Sequence, residues 1–199
     1  MTKSLALFDF DGTITFGDTF TPFIKYTCSK PRLLMGVILL SPFILLYKTK
    51  LLPATVMRPL LVKFALWRRD KEQISALAKT FFAYSIVPQL RPSALEQLSW
   101  HKAQNHTIVI VSANVDILLT NWCKTNGYEL IASELAVSHT RLTGGYSSPE
   151  CSGEQKANKV KAKHTLADYQ TIYAYGDTQE DLAMLALADV KYLNGQRLK

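Results

Sequence analysis

The run Leu5-Ala6-Leu7-Phe8 is apolar without a break and then changes character at once, continuing as Asp9-Phe10-Asp11-Gly12-Thr13. A short apolar run bounded by a turn signal suits a strand buried on both faces, in the middle of a parallel sheet. Such a strand has no room for two carboxylates in its interior. Asp9 and Asp11 therefore mark its carboxyl end, the edge at which open parallel sheets bind ligands. At i, i+2 spacing both acids point the same way, and Gly12 lets the backbone turn sharply beside them. Two anions held that close want a cation. An EF-hand loop is excluded, since its glycine belongs at the sixth place and Gly12 stands at the fourth.

The same pattern recurs twice. Thr107 to Val111 is β-branched and stops at Ser112-Ala113-Asn114, and Thr171 to Tyr175 stops at Gly176-Asp177-Thr178-Gln179-Glu180-Asp181. Tyr128 to Ala132 and Val190 to Leu193 read as further strands. Helical segments lie between them: one opened by a Ser93/Glu96 capping box and running to about Gln104, one over Ile117 to Thr125 stopped by Asn126-Gly127, one over Glu154 to Ala167, and one over Glu180 to Leu187. Leu135 to Tyr146 reads as a small surface hairpin, and Asn194-Gly195 as a turn. This alternation predicts an α/β fold, a doubly wound (Rossmann-like) parallel sheet whose right-handed crossovers bring all the polar strand ends to one edge. A chain of 199 residues is long enough for such a core with a smaller insertion.

That insertion is helical and covers residues 17–88, leaving 1–16 and 89–199 as the core that carries the polar strand ends. Asp18 or Thr19 caps its first helix, and Pro53 and Pro59 break its later ones. From Leu33 to Tyr47 it reads LLMGVILLSPFILLY, with Lys25, Lys30 and Arg32 before and Lys48 and Lys50 after. A membrane-spanning helix needs about 20 apolar residues; this run is shorter and contains Pro42, which argues against spanning. Three readings stay open: core helices of the insertion, a self-association surface, or a face that dips into the membrane interface beside its basic flanks. Arg58, Lys63, Arg68, Arg69 and Lys71 read as a solvated helix face.

A net charge of +7 favours an anionic partner, but no basic stripe interleaves with aromatics, which excludes a nucleic-acid surface. Cys28, Cys123 and Cys151 form no CxxC pair, so neither a disulfide framework nor a zinc site is expected and a cytoplasmic setting follows. The first strand begins too near Met1 for a signal peptide. His101, His106, His139 and His164 show no ligand spacing and read as surface residues.

Three strand ends and a helix thus gather Asp9, Asp11, Ser112, Asn114, Asp177 and Asp181 with Lys156. Asp9, Asp177 and the backbone carbonyl of Asp11 offer oxygens to a hard divalent ion, and magnesium suits few carboxylates completed by water and phosphate. Ser112 and the Lys156 ammonium suit phosphoryl oxygens.

DFDGT, a strand-end serine, a downstream lysine in Cys151-Ser152-Gly153-Glu154-Gln155-Lys156, and GDTxxD resemble the four ordered motifs of the haloacid dehalogenase superfamily. An insertion directly after the first motif resembles the subfamily that contains phosphoserine phosphatase. The resemblance implies a magnesium-dependent phosphomonoester hydrolase working through an aspartyl-phosphate. Asp9 would be nucleophile and metal ligand, Asp11 acid and then base, and Asp177 a metal ligand, with Asp181 holding a metal-bound water. Ser112 and Lys156 would grip the phosphoryl oxygens, with Thr13 and Asn114 completing the phosphate loop.

Asp18 stands where phosphoserine phosphatases carry a glutamate, and Arg58 is the counterpart of their insertion arginine. The apolar insertion is similar to that of bacterial phosphatidylglycerophosphate phosphatases, which implies a phosphorylated small molecule or a lipid phosphate as substrate, met at the inner face of the membrane. The alternative is a non-catalytic module that docks a membrane or partner through the same insertion. Nothing in the sequence sets an oligomeric state.

Overall fold

The computed structural model describes residues 3–198. Strand β1 (Ser4–Phe8) lies between β2 (Thr107–Val115) and β6 (Thr171–Gly176), and the six-stranded sheet runs β3-β2-β1-β6-β7-β8, with β3 at Glu129–Ser133, β7 at Val190–Leu193 and β8 at Gln196–Arg197. Every pairing is parallel except β7 with β8, and Phe8 sits in register between Ile110 and Tyr175. Alternation along β1 divides the core: Ala6 and Phe8 face one apolar cluster, Leu5 and Leu7 the other. On the first face Phe8 stacks on Tyr175 at 4.2 Å, and Tyr175 on Tyr192 at 4.9 Å, an aromatic ladder across three strands. Helices α5 (Pro92–Ala103) and α6 (Asp116–Asn126) pack on this face, while α7 (Glu154–Lys163) and the single-turn α8 (Leu182–Leu185) cover the other. Gly127, in the left-handed conformation, ends α6 as its sequence implied.

Between β1 and β2 the chain inserts α1 (Phe20–Thr27), α2 (Lys30–Lys48), α3 (Ala54–Leu66) and α4 (Lys71–Phe81), the last running on through a π-turn at Phe82–Ile86. α2 is one helix through Pro42, and it is not a core helix: Gly36 alone is buried. The core reading of the apolar run is therefore overturned, because only the narrow stripe facing α3 is covered. Pro59 does not break α3 either. It removes one backbone hydrogen bond near the first turn, and Met57, Val62, Ala65 and Leu66 bury enough apolar surface to hold the helix together.

Several smaller expectations also change. Arg91 precedes α5 and Pro92 opens it, so the Ser93 capping box does not form. α7 stops at Lys163, and the predicted helix over 180–187 is a 3₁₀ turn at Gln179–Asp181 followed by α8. His101 is fully buried, its ring nitrogens hydrogen-bonded with Tyr175 and His106. The hairpin β4 (Leu135–Ser138) and β5 (Arg141–Tyr146) is no surface ornament: Leu142 exchanges backbone hydrogen bonds with Arg68 and Arg69, and Gly144 lies against the Lys63 backbone at the end of α3. It ties the insertion to the sheet.

Candidate active site

The carboxyl ends of β1, β2 and β6 open onto a cavity of about 540 Å³ lined by Asp9, Asp11, Ser112, Asn114, Lys156, Asp177 and Asp181. β1 delivers Asp9 directly, its N–H donated to the Tyr175 carbonyl at 2.9 Å. Gly12 then turns the chain at φ +83°, a conformation that side chains disfavour. This turn brings the backbone so close to Asp177 that a Cβ at position 12 would stand 2.0 Å from its Oδ2.

Lys156 is 2% exposed. Its Nζ donates to Asp9 Oδ1 at 2.5 Å and to Asp181 Oδ1 at 2.6 Å. Burial alone would lower the ammonium's pKa, but Asp9 and Asp181 override it and hold the group above its ordinary range. Burial pushes Asp9 up to about 7 against the pull of Lys156, with Asp181 and Asp11 adding repulsion. Asp181 goes the other way: Lys156 and the N–H groups of Asp177 and Thr178, bonded to Oδ2 at 3.0 Å, outweigh burial and keep it low. Asp177 is pushed up to about 6, first by burial and then by Asp181.

Asp11 is held from both sides. Its Oδ1 accepts the Thr19 N–H at 2.8 Å and the Thr19 hydroxyl at 2.5 Å, and its Oδ2 accepts Asn114 Nδ2 at 2.9 Å. Burial still raises it to about 6, the Thr19 and Asn114 bonds working against the rise. A carboxyl that is oriented and titrates near neutrality is suited to acid and base work.

The chain thus brings together all the sequence-predicted site residues except Thr13, which does not line the cavity and whose buried hydroxyl has no hydrogen-bond partner among the described residues. Asn114 gives its amide to Asp11 and Thr19, and Ser112 Oγ accepts the Asn114 N–H at 3.1 Å. Ser133 joins two of the loops, its hydroxyl donating to the Ala113 carbonyl and accepting the Cys151 N–H. Asp18, through Oδ1, caps α1. Sequence reasoning missed the role of Thr19, visible only as a helix-cap residue. From its local pattern Arg58 read as part of a solvated face, and only the family resemblance set it beside the substrate. Arg58 lines the cavity, its Nη1 paired with Glu150 and its Nη2 donating to both carboxylate oxygens of Glu180 at 2.8 and 2.9 Å.

Known proteins share this fold. Protein CicA of Caulobacter vibrioides (strain NA1000 / CB15N) is 32% identical over 194 residues, which span 94% of this chain and 84% of that protein. The fold matches a protein of unknown function from Bordetella pertussis Tohama I with a TM-score of 0.80, at 20% identity over 96% of this chain and 89% of that one. It matches a phosphoserine phosphatase, in a phospho-aspartyl intermediate analogue form, with a TM-score of 0.67, at 18% identity over 99% and 95% of the two chains. A family model for haloacid dehalogenase-like hydrolases matches residues 6–186. That span runs from the strand that delivers Asp9 to the end of the helix that follows Asp181, and the chain accordingly belongs to the haloacid dehalogenase-like hydrolase family.

Proposed function

We propose that the protein is a magnesium-dependent phosphomonoester hydrolase that works through an aspartyl-phosphate on Asp9. The observation that carries this reading is the buried Lys156 bridge between Asp9 and Asp181 on the floor of a cavity that also presents Asp11 and Ser112. An Asp9 carboxylate oxygen attacks phosphorus, and the bond to the leaving oxygen breaks with its electron pair staying on that oxygen. The Asp11 carboxyl gives this oxygen its proton. Asp11, now a carboxylate, takes a proton from a water whose oxygen attacks phosphorus, and the bond to Asp9 breaks to release phosphate. Lys156 holds Asp9 in place and, with Ser112, faces the phosphoryl oxygens where charge develops.

The donor set fits magnesium. Oxygens of Asp9, Asp177 and Asp181 lie within 4.8 Å of one another, and the approach of Asp177 to the Gly12 backbone leaves space only for a residue without a side chain. Asp181 is engaged by Lys156 and two backbone N–H groups, so Asp9, Asp177 and the Asp11 carbonyl would hold the ion, with Asp181 setting the loop. When bound, magnesium would offset the repulsion among these acids and draw charge from the phosphoryl group. Phe16, Phe20, Met57 and Leu61 give the cavity an apolar wall, which supports a substrate whose phosphate is carried on an apolar body, a lipid phosphate among them. The three cysteines, all unpaired, support a cytoplasmic setting.

Phosphate release from a panel of soluble and lipid phosphomonoesters in the presence of magnesium tests the reading. Turnover that Asp9→Asn abolishes while the thermal transition stays intact supports it. Inactivity on the whole panel, together with no thermal shift from beryllium fluoride and magnesium, would leave a non-catalytic binding module in its place.

A further inference from the structure

We infer that the outward face of α2 docks on an anionic lipid bilayer, with the helix lying in the plane of the membrane and the catalytic cavity opening beside it. The inference deepens the phosphatase reading and rests on it only for what the cavity does once docked.

The face is unusual for its chemistry and its exposure. Leu34, Ile38, Leu39 and Leu45 are each between 60% and 64% exposed, and Met35, Phe43 and Leu46 are exposed as well. A helix that is apolar on all sides needs an apolar medium on all sides, yet α3 supplies one stripe of cover, where Gly36 meets the Phe64 ring. The charge around it is one-sided. From Thr19 to Arg69 the chain has no acidic residue, while Lys25, Lys30, Arg32, Lys48 and Lys50 flank α2. Lysines at the two ends of an apolar helix match a bilayer with anionic headgroups. They do not match a second copy of the chain: a two-fold pairing along α2 would set the Lys30 end against the Lys48 end, like charge on like.

The orientation follows from what α2 is fastened to. By length and composition the helix is able to cross a membrane, being about 28 Å long at the ordinary rise per residue. Arg32, at its start, donates to the carbonyls of Phe64 and Trp67 at the far end of α3, and only residues 49–53 join the two helices. α3 therefore runs back along α2. α3 is itself pinned to the sheet side of the molecule by Arg58 to Glu150 and Glu180, and by Lys63 to the Thr143 carbonyl. Spanning would carry Lys48 across the bilayer and pull α3 away from those partners. Lying in the plane keeps them all and immerses the exposed apolar residues. Tyr47, near the end of α2, and Ala54 and Met57, at the start of α3, line the cavity that holds Asp9, so a docked helix presents that cavity to phosphomonoesters carried in the bilayer.

Co-sedimentation of the full chain with vesicles tests this, using phosphatidylcholine alone and an equal mixture with phosphatidylglycerol. The protein is expected to pellet with the mixed vesicles. Leu39→Ser with Phe43→Ser should reduce the bound-to-free ratio at least about tenfold, and Lys48→Gln with Lys50→Gln should reduce the preference for the anionic mixture several-fold. In a Cys28→Ser background, the exposed positions Ser29→Cys before α2 and Thr49→Cys after it should both react with an impermeant maleimide added outside the vesicles. The inference is overturned if the wild type stays in the supernatant or if the Leu39/Phe43 variant pellets unchanged. A soluble dimer that this variant dissolves, or protection of only one of the two cysteines, overturns it equally. Turnover of soluble phosphomonoesters without vesicles, expected to be equal for wild type and the Leu39/Phe43 variant, separates the two readings: inactivity of the wild type on the whole panel, with no thermal shift from beryllium fluoride and magnesium, sinks the phosphatase and leaves the vesicle result standing.

Discussion

The Asp177 carboxylate fills the space beside Gly12 that any other residue's Cβ would need, 2.0 Å from Oδ2. Gly12→Ala therefore meets two obstacles, the positive φ of +83° and the collision with a carboxylate assigned to the metal. The strain alone costs about 1–2 kcal/mol. Displacement of Asp177 should weaken magnesium at least about tenfold and lower kcat/KM by about a hundredfold or more. Titration calorimetry with magnesium reads the first effect and steady-state kinetics the second. Unchanged magnesium affinity would detach Asp177 from the metal.

Lys156 bridges two buried acids with one charge, so its removal should be felt in the fold as well as in turnover. Lys156→Met leaves Asp9 and Asp181 buried without their counter-ion, a loss of about 3 kcal/mol. In a chain of this size that lowers Tm by roughly 6–12 °C. Activity should fall by about 10²–10³. Adding Asp9→Asn to Lys156→Met removes one of the orphaned charges and should restore part of the Tm with no activity. Melting curves of the two variants decide the point, and a double variant less stable than the single one would refute the charge argument.

The sheet was legible because a strand buried on both faces is written as an unbroken apolar run, and Asp9, Asp11, Ser112 and Asp177 were legible because such a run stops where its polar end meets the cavity. Lys156 was different. Lys159, Lys161 and Lys163 share its helix, and only its resemblance to a family motif separated it from them before burial did. The ion pairs of Arg58 were illegible, since its partners lie 92 and 122 residues away and no local pattern links the three; only the family resemblance had singled the arginine out. α2 was ambiguous for a physical reason: an all-apolar helix has the same composition whether protein or lipid surrounds it.

Arg58 links α3 to the loops before α7 and α8, and its loss leaves Glu150 buried, its side chain 9% exposed, without a partner. Glu180 is more exposed and contributes less. Arg58→Ala should cost about 2 kcal/mol, or about 4–8 °C in Tm. Glu150→Gln in the same chain should recover part of that loss, because an uncharged amide tolerates the buried position better. Arg58→Lys should rescue poorly, since a single ammonium cannot stand at once where Nη1 meets Glu150 and Nη2 meets Glu180. Equal melting temperatures for Arg58→Ala and Arg58→Ala/Glu150→Gln would contradict this account.

The three raised acids dominate how stability depends on pH in the metal-free protein, outweighing the opposite contribution of the buried His101, which burial holds down at about 4. Burial lifts Asp9 to about 7, and burial leads in lifting Asp11 and Asp177 to about 6, whereas in the unfolded chain all three titrate near 3.9. Between those limits the folded state binds more protons than the unfolded one, so stability falls as pH rises from about 4 to about 7. Asp181 is depressed, and its contribution is lost only below that window. Protein stripped with a chelator should therefore melt at least about 3 °C lower at pH 8 than at pH 5. Magnesium, which favours the ionised acids, should raise the Tm more at pH 8 than at pH 5. Scanning calorimetry at the two pH values, with and without magnesium, gives all four temperatures. A metal-free protein that gains stability from pH 5 to pH 8 would show that the acids are ionised without a cation and would remove the electrostatic case for a metal between Asp9 and Asp177.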